Sequence, residues 1–376
     1  MHHFILPSQD TWISSGSSTI TGDTFKDQNF GQDEILELKK FFYNNQFDHQ
    51  TRILVQFNLT ELSQSVANNT ITNPKYFLRL YEANGTQDLS TNYTIAALPL
   101  SESWDEGRGK LINNPKITNG CSWDNRTYPD GGTATAWTSL GGHFITGSKK
   151  AAGVDTKYVA SQSFSYTTPD INMDVTDIVS RMITSGSTIF PNYGFLLKFS
   201  GSQETDSSTH AQLKFFSKQT NTIYAPKLEV RWDDHTAATG DATGSLTALT
   251  MSGAVENYVY QKSFRNAYRE NEKVKFRFGT RKQYIQKSFS TSVQTVSGSY
   301  IPEGSGSYSI LDVATGETIV PFSSYTTMSC DSTSPYFIQW LDGFYPDRVY
   351  KTLIKIRYND GQEVIYDDDF EFKIVR

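Results

Sequence analysis

The sequence contains few of the residues and segments that mark secreted, membrane or metal-binding proteins. Its 376 residues include two cysteines, Cys121 and Cys330, and six histidines without metal-ligand spacing. No apolar run approaches the roughly 20 residues that a membrane helix needs, and the first residues lack the basic and apolar stretches of a secretory signal. We therefore expect cytoplasmic synthesis, no membrane partner and free thiols rather than a disulfide.

Basic residues are also in the minority. The sequence has 34 Lys and Arg residues against 40 Asp and Glu residues, which gives a net charge of −6 and an isoelectric point near 5.6. This balance provides no general electrostatic attraction for a phosphate backbone or an anionic membrane. We therefore expect no nucleic-acid partner.

Catalytic and nucleotide-binding motifs are missing too. The sequence has no G-x-S-x-G, H-E-x-x-H, P-loop or G-x-G-x-x-G pattern. The carboxylate pair Asp105-Glu106 follows Trp104, and a packed indole before a turn explains this run better than glycoside cleavage. We predict a protein that is not an enzyme and uses no organic cofactor.

Aromatic residues are abundant, with 24 Phe and 21 Tyr, and Ser, Thr, Asn and Gly are frequent. This composition is typical of strands joined by tight turns. The spacing of apolar residues predicts one helix from Asp174 to Ser185, with Asp174 as its cap. Alternation of apolar and polar residues predicts strands over 52–59, 76–80, 195–199, 213–215, 228–232, 274–278, 354–358 and 370–374.

The pattern changes after Trp232, where residues 233–246 are small and polar and show no periodicity. We predict an all-β protein with a first β-sandwich domain over residues 1–235 and a linker over residues 236–250. A second, smaller β-sandwich domain of immunoglobulin-like size is predicted over residues 251–376.

Short segments between residue 8 and about residue 233 occur in a characteristic order and spacing. They are Asp10-Thr11-Trp12-Ile13, Asn29-Phe30-Gly31, Arg52 to Thr60, Leu78-Arg79-Leu80-Tyr81, Trp104-Asp105-Glu106, Met173 to Val179, Gly194 to Leu197, and Phe216-Ser217-Lys218 leading to Pro226 to Val230. Together they resemble the DNRLRE-type jelly-roll family, which includes carbohydrate-binding modules of secreted bacterial proteins. The resemblance implies a jelly roll and glycan binding.

The sequence departs from the secreted members of that family by its missing signal peptide and by an insertion from Asn114 to Gly142. The layout of the whole chain, a jelly roll followed by one compact β-domain, resembles structural proteins of tailed-phage virions. This second resemblance implies a virion protein in head decoration, neck or tail, made in the host cytoplasm, with other virion proteins or further copies of itself as partners. The alternative is a glycan-binding or adhesin module of a bacterial surface protein.

Residues 262–287 reverse the overall charge, with nine Lys or Arg and two Glu. Cations alternate with apolar residues there, so one face of a strand would present several cations together. We predict that this face docks on an acidic protein surface; a solvated strand face is the main alternative, and local contact with DNA is the other. The predicted docking residues are Lys273, Lys275, Arg277, Arg281 and Lys282.

Two further groups of residues have both a structural and a functional interpretation. Trp104, Trp123 and Trp137 are either packed core residues or a stacking platform for a glycan, which requires exposed rings. The run Asp367-Asp368-Asp369 and the pair Asp174 and Asp177 could bind structural calcium. A solvated turn and a helix cap are the alternatives for these carboxylates.

Overall fold

The structure, a computed structural model, describes residues 1–17, 24–43, 46–83, 93–145, 148–151, 154–164, 170–184, 190–252, 256–284, 289, 291–293 and 298–376. The described chain is all-β, as predicted, with two short α-helices, α1 (Thr60–Ala67) and α2 (Thr176–Thr184). Neither helix has the length and hydrophobicity to cross a bilayer, and no other described segment is such a helix.

The strands follow the chain in numerical order. The first fifteen are β1 (His2–Ile5), β2 (Pro7–Ser14), β3 (Ile35–Tyr43), β4 (Gln46–Phe57), β5 (Lys75–Leu80), β6 (Tyr93–Pro99), β7 (Asn125–Thr127), β8 (Thr135–Ala136), β9 (Ser148–Ala151), β10 (Val154–Lys157), β11 (Ala160–Phe164), β12 (Ile171–Asp174), β13 (Phe195–Phe199), β14 (Ala211–Phe216) and β15 (Lys227–Arg231). The remainder are β16 (Thr247–Ala248), β17 (Asn257–Lys262), β18 (Ala267–Arg269), β19 (Lys273–Lys282), β20 (Ser299–Tyr300), β21 (Gly306–Asp312), β22 (Thr318–Val320), β23 (Ser329–Cys330), β24 (Pro335–Trp340), β25 (Val349–Arg357) and β26 (Glu363–Val375).

Contacts within the chain define two compact units. The N-terminal unit comprises Ile5–Thr70 and Lys75–Val230, and the C-terminal unit comprises Arg231–Arg376 together with Met1–Phe4 and Ile71–Pro74. Phe4 is buried in the C-terminal unit, with its ring centroid 6.1 Å from that of Phe344. The first four residues of the chain therefore belong to the C-terminal unit.

The N-terminal unit contains a large sheet with strand order β11-β6-β13-β4-β3-β14, in which β2 also pairs with β4. The predicted alternation is confirmed in its central strands, because Ile53 and Val55 pair with Leu197 and Phe195 and all four side chains are buried. A second sheet of this unit contains the order β15-β5-β12. The predicted strands thus direct one apolar face toward a common core.

The same central strands are also buried on their other face, which the alternation did not predict. Leu54 pairs with Leu196, and both side chains lie on the face of the sheet opposite to Ile53 and Val55. Both are nevertheless fully buried. They belong to a second core cluster with three tryptophans and Cys121. Residues 114–142 supply three members of this cluster, Cys121, Trp123 and Trp137.

The C-terminal unit has two sheets, with orders β16-β20-β19-β24-β23 and β18-β26-β25-β21-β22, and β17 pairs with β19. Aromatic rings fill the space between them. The ring centroids of Phe276 and Phe372 lie 5.0 Å apart, and those of Tyr308 and Phe337 lie 3.7 Å apart in a stacked arrangement. These contacts join one sheet to the other in a sandwich-like core.

Local predictions also agree with the structure in several places. Helix α2 lies within the predicted helix, and the Asp174 Oδ1 accepts the N–H of Thr176 at 2.9 Å. Residues 359–361 form the predicted turn between β25 and β26, with Gly361 at a φ of 87°. Cys121 and Cys330 are free thiols, as expected, and both are buried. Helix α1 was not predicted.

Candidate functional site

The predicted docking residues lie on β19, which alternates exposed and buried residues. Val274, Phe276 and Phe278 are buried in the core of the C-terminal unit, whereas Lys273 and Lys275 are exposed. Because side chains alternate between the two faces of a strand, the outer face of the sheet carries Lys273, Lys275, Arg277 and Arg281, whereas Lys282 is in register with the inward-facing residues. We call this face, formed by β17, β19 and β24, the cationic face.

One cation of this face has an internal partner. Arg277 forms two hydrogen bonds with the Asp331 carboxylate, which raise the pKa of Arg277 above its ordinary value. Lys275 Nζ lies farther from the same carboxylate, at 3.5 Å, and its side chain is 40% exposed. Arg277 therefore contributes to the fold more than the other cations of this face do.

Lys273 and Arg281 have aromatic rather than acidic neighbours. Among the described residues, no carboxylate lies within 4.0 Å of either cation. Instead, Lys273 Nζ lies 4.9 Å from the ring centroid of Trp340, and the Arg281 guanidinium lies 4.8 Å from that of Tyr258. These aromatic residues were not predicted as part of the site, although both occupy strands next to β19. Lys282 is exposed at the end of the strand.

The three candidate glycan-stacking residues lie together, but inside the core. Trp104, Trp123 and Trp137 are 3%, 7% and 4% exposed and share the second cluster of the N-terminal unit. The indole N–H groups of Trp104 and Trp137 donate to the carbonyls of Tyr193 and Ser122, each at 2.9 Å. Their ring faces are therefore not open to a sugar, and the burial supports the interpretation as packed core residues.

The triple aspartate is exposed to solvent, as predicted, but it lies within a strand rather than in a turn and is not an open cation site. Asp367 to Asp369 lie within β26 where its register with β25 shifts, and Asp369 has a φ of 52°. Lys351 Nζ lies 2.7 Å from Asp367 Oδ1 and 3.1 Å from Asp369 Oδ1. The Lys351 ammonium group thus supplies positive charge to two of the three carboxylates at this β-bulge. In the part of the chain that the structure describes, no group of three or more potential ligands could hold a metal.

His235 lies between a carboxylate and a hydroxyl in an arrangement that sequence motifs did not indicate. Its Nε2 is 2.5 Å from Glu303 Oε1, and its Nδ1 is 3.5 Å from Ser329 Oγ. Ser329 is only 5% exposed, and its Oγ accepts the N–H of Thr236 at 3.0 Å. These contacts fix the start of the predicted linker to the C-terminal unit.

A buried polar network joins segments that carry the jelly-roll resemblance. Asp10 Oδ2 accepts the N–H of Lys218 at 2.7 Å, and the Asp10 N–H donates to Glu106 Oε1 at 3.0 Å. Lys218 Nζ lies 2.9 Å from Glu106 Oε2. Burial raises the pKa of Asp10 to about 7, and the charge of Glu106 adds to this effect. The network ties three distant segments of the N-terminal unit together.

Comparisons with known proteins identify no family or relative for this chain, so a functional assignment depends on the structural features described above. A scan against models of protein families found no match, and a search of curated proteins found no similar sequence.

Proposed function

We propose that this protein is a non-enzymatic structural component of a tailed-phage particle, in head decoration, neck or tail, that acts by docking on other virion proteins. In this proposal the N-terminal unit is a DNRLRE-type jelly roll and the C-terminal unit is immunoglobulin-like. The motif order along the first unit and the two all-β units support it. The main observation in support of the docking proposal is the cationic face.

The cationic face concentrates positive charge on a protein with a net charge of −6. Lys273 and Arg281 are not neutralised by a nearby described carboxylate, so an acidic partner surface would complement them. Individual exposed ion pairs contribute only about 0–1 kcal/mol, but several together steer association and fix its register. The face is therefore suited to positioning the protein on a larger assembly.

The test is incorporation of a charge-reversed protein into particles. We expect the double variant Lys273→Glu with Arg281→Glu to fold normally and to be incorporated less than the wild type, most strongly at low ionic strength, where screening is least. Arg277 is left intact because its reversal would place a glutamate beside Asp331. The control, Lys75→Glu with Arg357→Glu, makes the same charge change at exposed positions elsewhere. Normal incorporation of the first variant would contradict the proposal.

A glycan-binding or adhesin module is the second candidate. A cavity of about 450 Å³ in the N-terminal unit favours it, because Phe144, Lys198 and Ser200 line the cavity with a ring, a cation and a hydroxyl. Glycan-array binding that is lost in Phe144→Ala, with no association of the protein with particles, would support this candidate over the first.

A further inference from the structure

The cationic face combines its charges with a flat aromatic surface. Tyr258 and Tyr260 project from β17, and their rings stack with centroids 5.7 Å apart and planes 19° apart. A Cβ atom on Gly279 of β19 would lie 2.1 Å from the Tyr260 ring. The Tyr260 ring therefore lies directly over the backbone of Gly279, which only glycine permits.

The order of groups along β19 is fixed by strand geometry. Lys273 and Lys275 are two residues apart, which corresponds to about 7 Å along a strand, and Arg281 lies about 20 Å beyond Lys275. The interval contains Arg277, which is engaged by Asp331, and Gly279, which is covered by Tyr260. The face thus presents two closely spaced cations, an aromatic floor and a third cation.

We propose that this face binds an extended acidic segment of a partner protein, with carboxylates at two alternate positions and a third six positions farther on. Alternate side chains of an extended polypeptide have the same spacing as Lys273 and Lys275. The residues between the second and third carboxylates would lie across the Tyr258 and Tyr260 rings, which accept apolar and polar groups. This inference deepens the docking proposal and rests on it for the identity of the partner as a virion protein.

Binding of labelled synthetic peptides to the full chain tests the spacing. The probe is a nine-residue peptide with glutamate at its first, third and ninth positions and serine or threonine elsewhere. A control peptide of the same composition has its three glutamates adjacent, so that neighbouring ones point to opposite sides and none lies six positions beyond another. We expect the dissociation constant of the spaced peptide to be lower than that of the control peptide by a factor of about three or more, measured by fluorescence polarisation at low salt.

The charge-reversed double variant at Lys273 and Arg281 should bind the spaced peptide about tenfold or more weakly, because two favourable contacts become repulsive. The control variant at Lys75 and Arg357 should retain wild-type binding. Equal affinity for the two peptides would overturn the inference, as would tighter binding of a thymidine oligonucleotide or an oligogalacturonate.

The outcomes separate this inference from the docking proposal. Reduced particle incorporation of the double variant without discrimination between the peptides would leave the docking proposal intact and overturn the acidic-segment site. Selective peptide binding with normal incorporation would support the site and contradict its role in particle assembly.

Discussion

The guanidinium of Arg277 holds the Asp331 carboxylate in a bidentate ion pair, with 2.8 Å between Nη1 and Oδ1 and 2.7 Å between Nη2 and Oδ2. Asp331 also accepts the N–H of Thr333 and of Ser334 at the turn between β23 and β24. The Arg277 hydrogen bonds hold the pKa of Asp331 well below its usual range, although partial burial opposes them. Arg277, which was predicted to dock on a partner, thus stabilises a turn of its own unit.

Arg277→Gln should therefore lower the free energy of unfolding by about 1–3 kcal/mol, because the paired charge and its hydrogen bonds are lost. Lys275→Gln, on the same strand, should change it by less than about 0.5 kcal/mol. Chemical denaturation at neutral pH measures both. The Arg277 effect should shrink as the pH falls below the ordinary carboxyl range, where Asp331 becomes protonated in the unfolded chain. Equal effects of the two substitutions would contradict the structural role of Arg277.

Trp104→Ala should destabilise the N-terminal unit by about 3–5 kcal/mol, because a buried indole is lost from a packed core. The exposed Ile112, at 84% exposure, provides the matched control, and Ile112→Ala should remain within about 0.5 kcal/mol of the wild type. Thermal and denaturant unfolding measure the difference. A Trp104 variant that keeps its stability but loses binding on a glycan array would restore the stacking interpretation.

Asp10 should make the N-terminal unit less stable as the pH rises from about 4 to about 7. Its folded-state pKa is about 7, so in this interval the unfolded chain loses the proton while the folded protein retains it. The contribution is fully present below the ordinary pKa and lost by neutral pH. Asp10→Asn should remove this dependence and raise stability near pH 8 relative to the wild type. The exposed Asp130→Asn is the control, and identical pH profiles for Asp10→Asn and the wild type would refute the prediction.

Limited proteolysis should cut the predicted linker first, and the hydrogen bond to Glu303 should determine which linker residues are protected. Glu303 Oε2 accepts the N–H of Ala238 at 2.8 Å, and Ala238 is buried. We expect wild-type cuts within residues 239–246 and, in Glu303→Ala, additional cuts within residues 233–238. Glu363→Ala is the control at another exposed carboxylate. A protected fragment spanning residues 200–300 would argue against separate cores for the two units.

The local order of the sequence determined much of the secondary structure. Alternation fixes which residues of a strand share a face, so β13 and β19 could be predicted from neighbouring residues alone. The turn between β25 and β26 could be predicted from its local sequence, Asn359-Asp360-Gly361. The same holds for α2, whose apolar spacing and Asp174 cap lie within one short segment. The cationic outer face of β19 followed from the same alternation.

The tertiary structure decided the features that depend on residues far apart in the sequence. Leu54 is buried on the second face of its sheet because a distant segment covers it, and Arg277 is paired with Asp331, which lies 54 residues away. Phe4 joins the C-terminal unit for the same reason. Periodicity records only which side chains point in the same direction. What those side chains meet is set by the packing of segments whose separation along the chain leaves no local pattern.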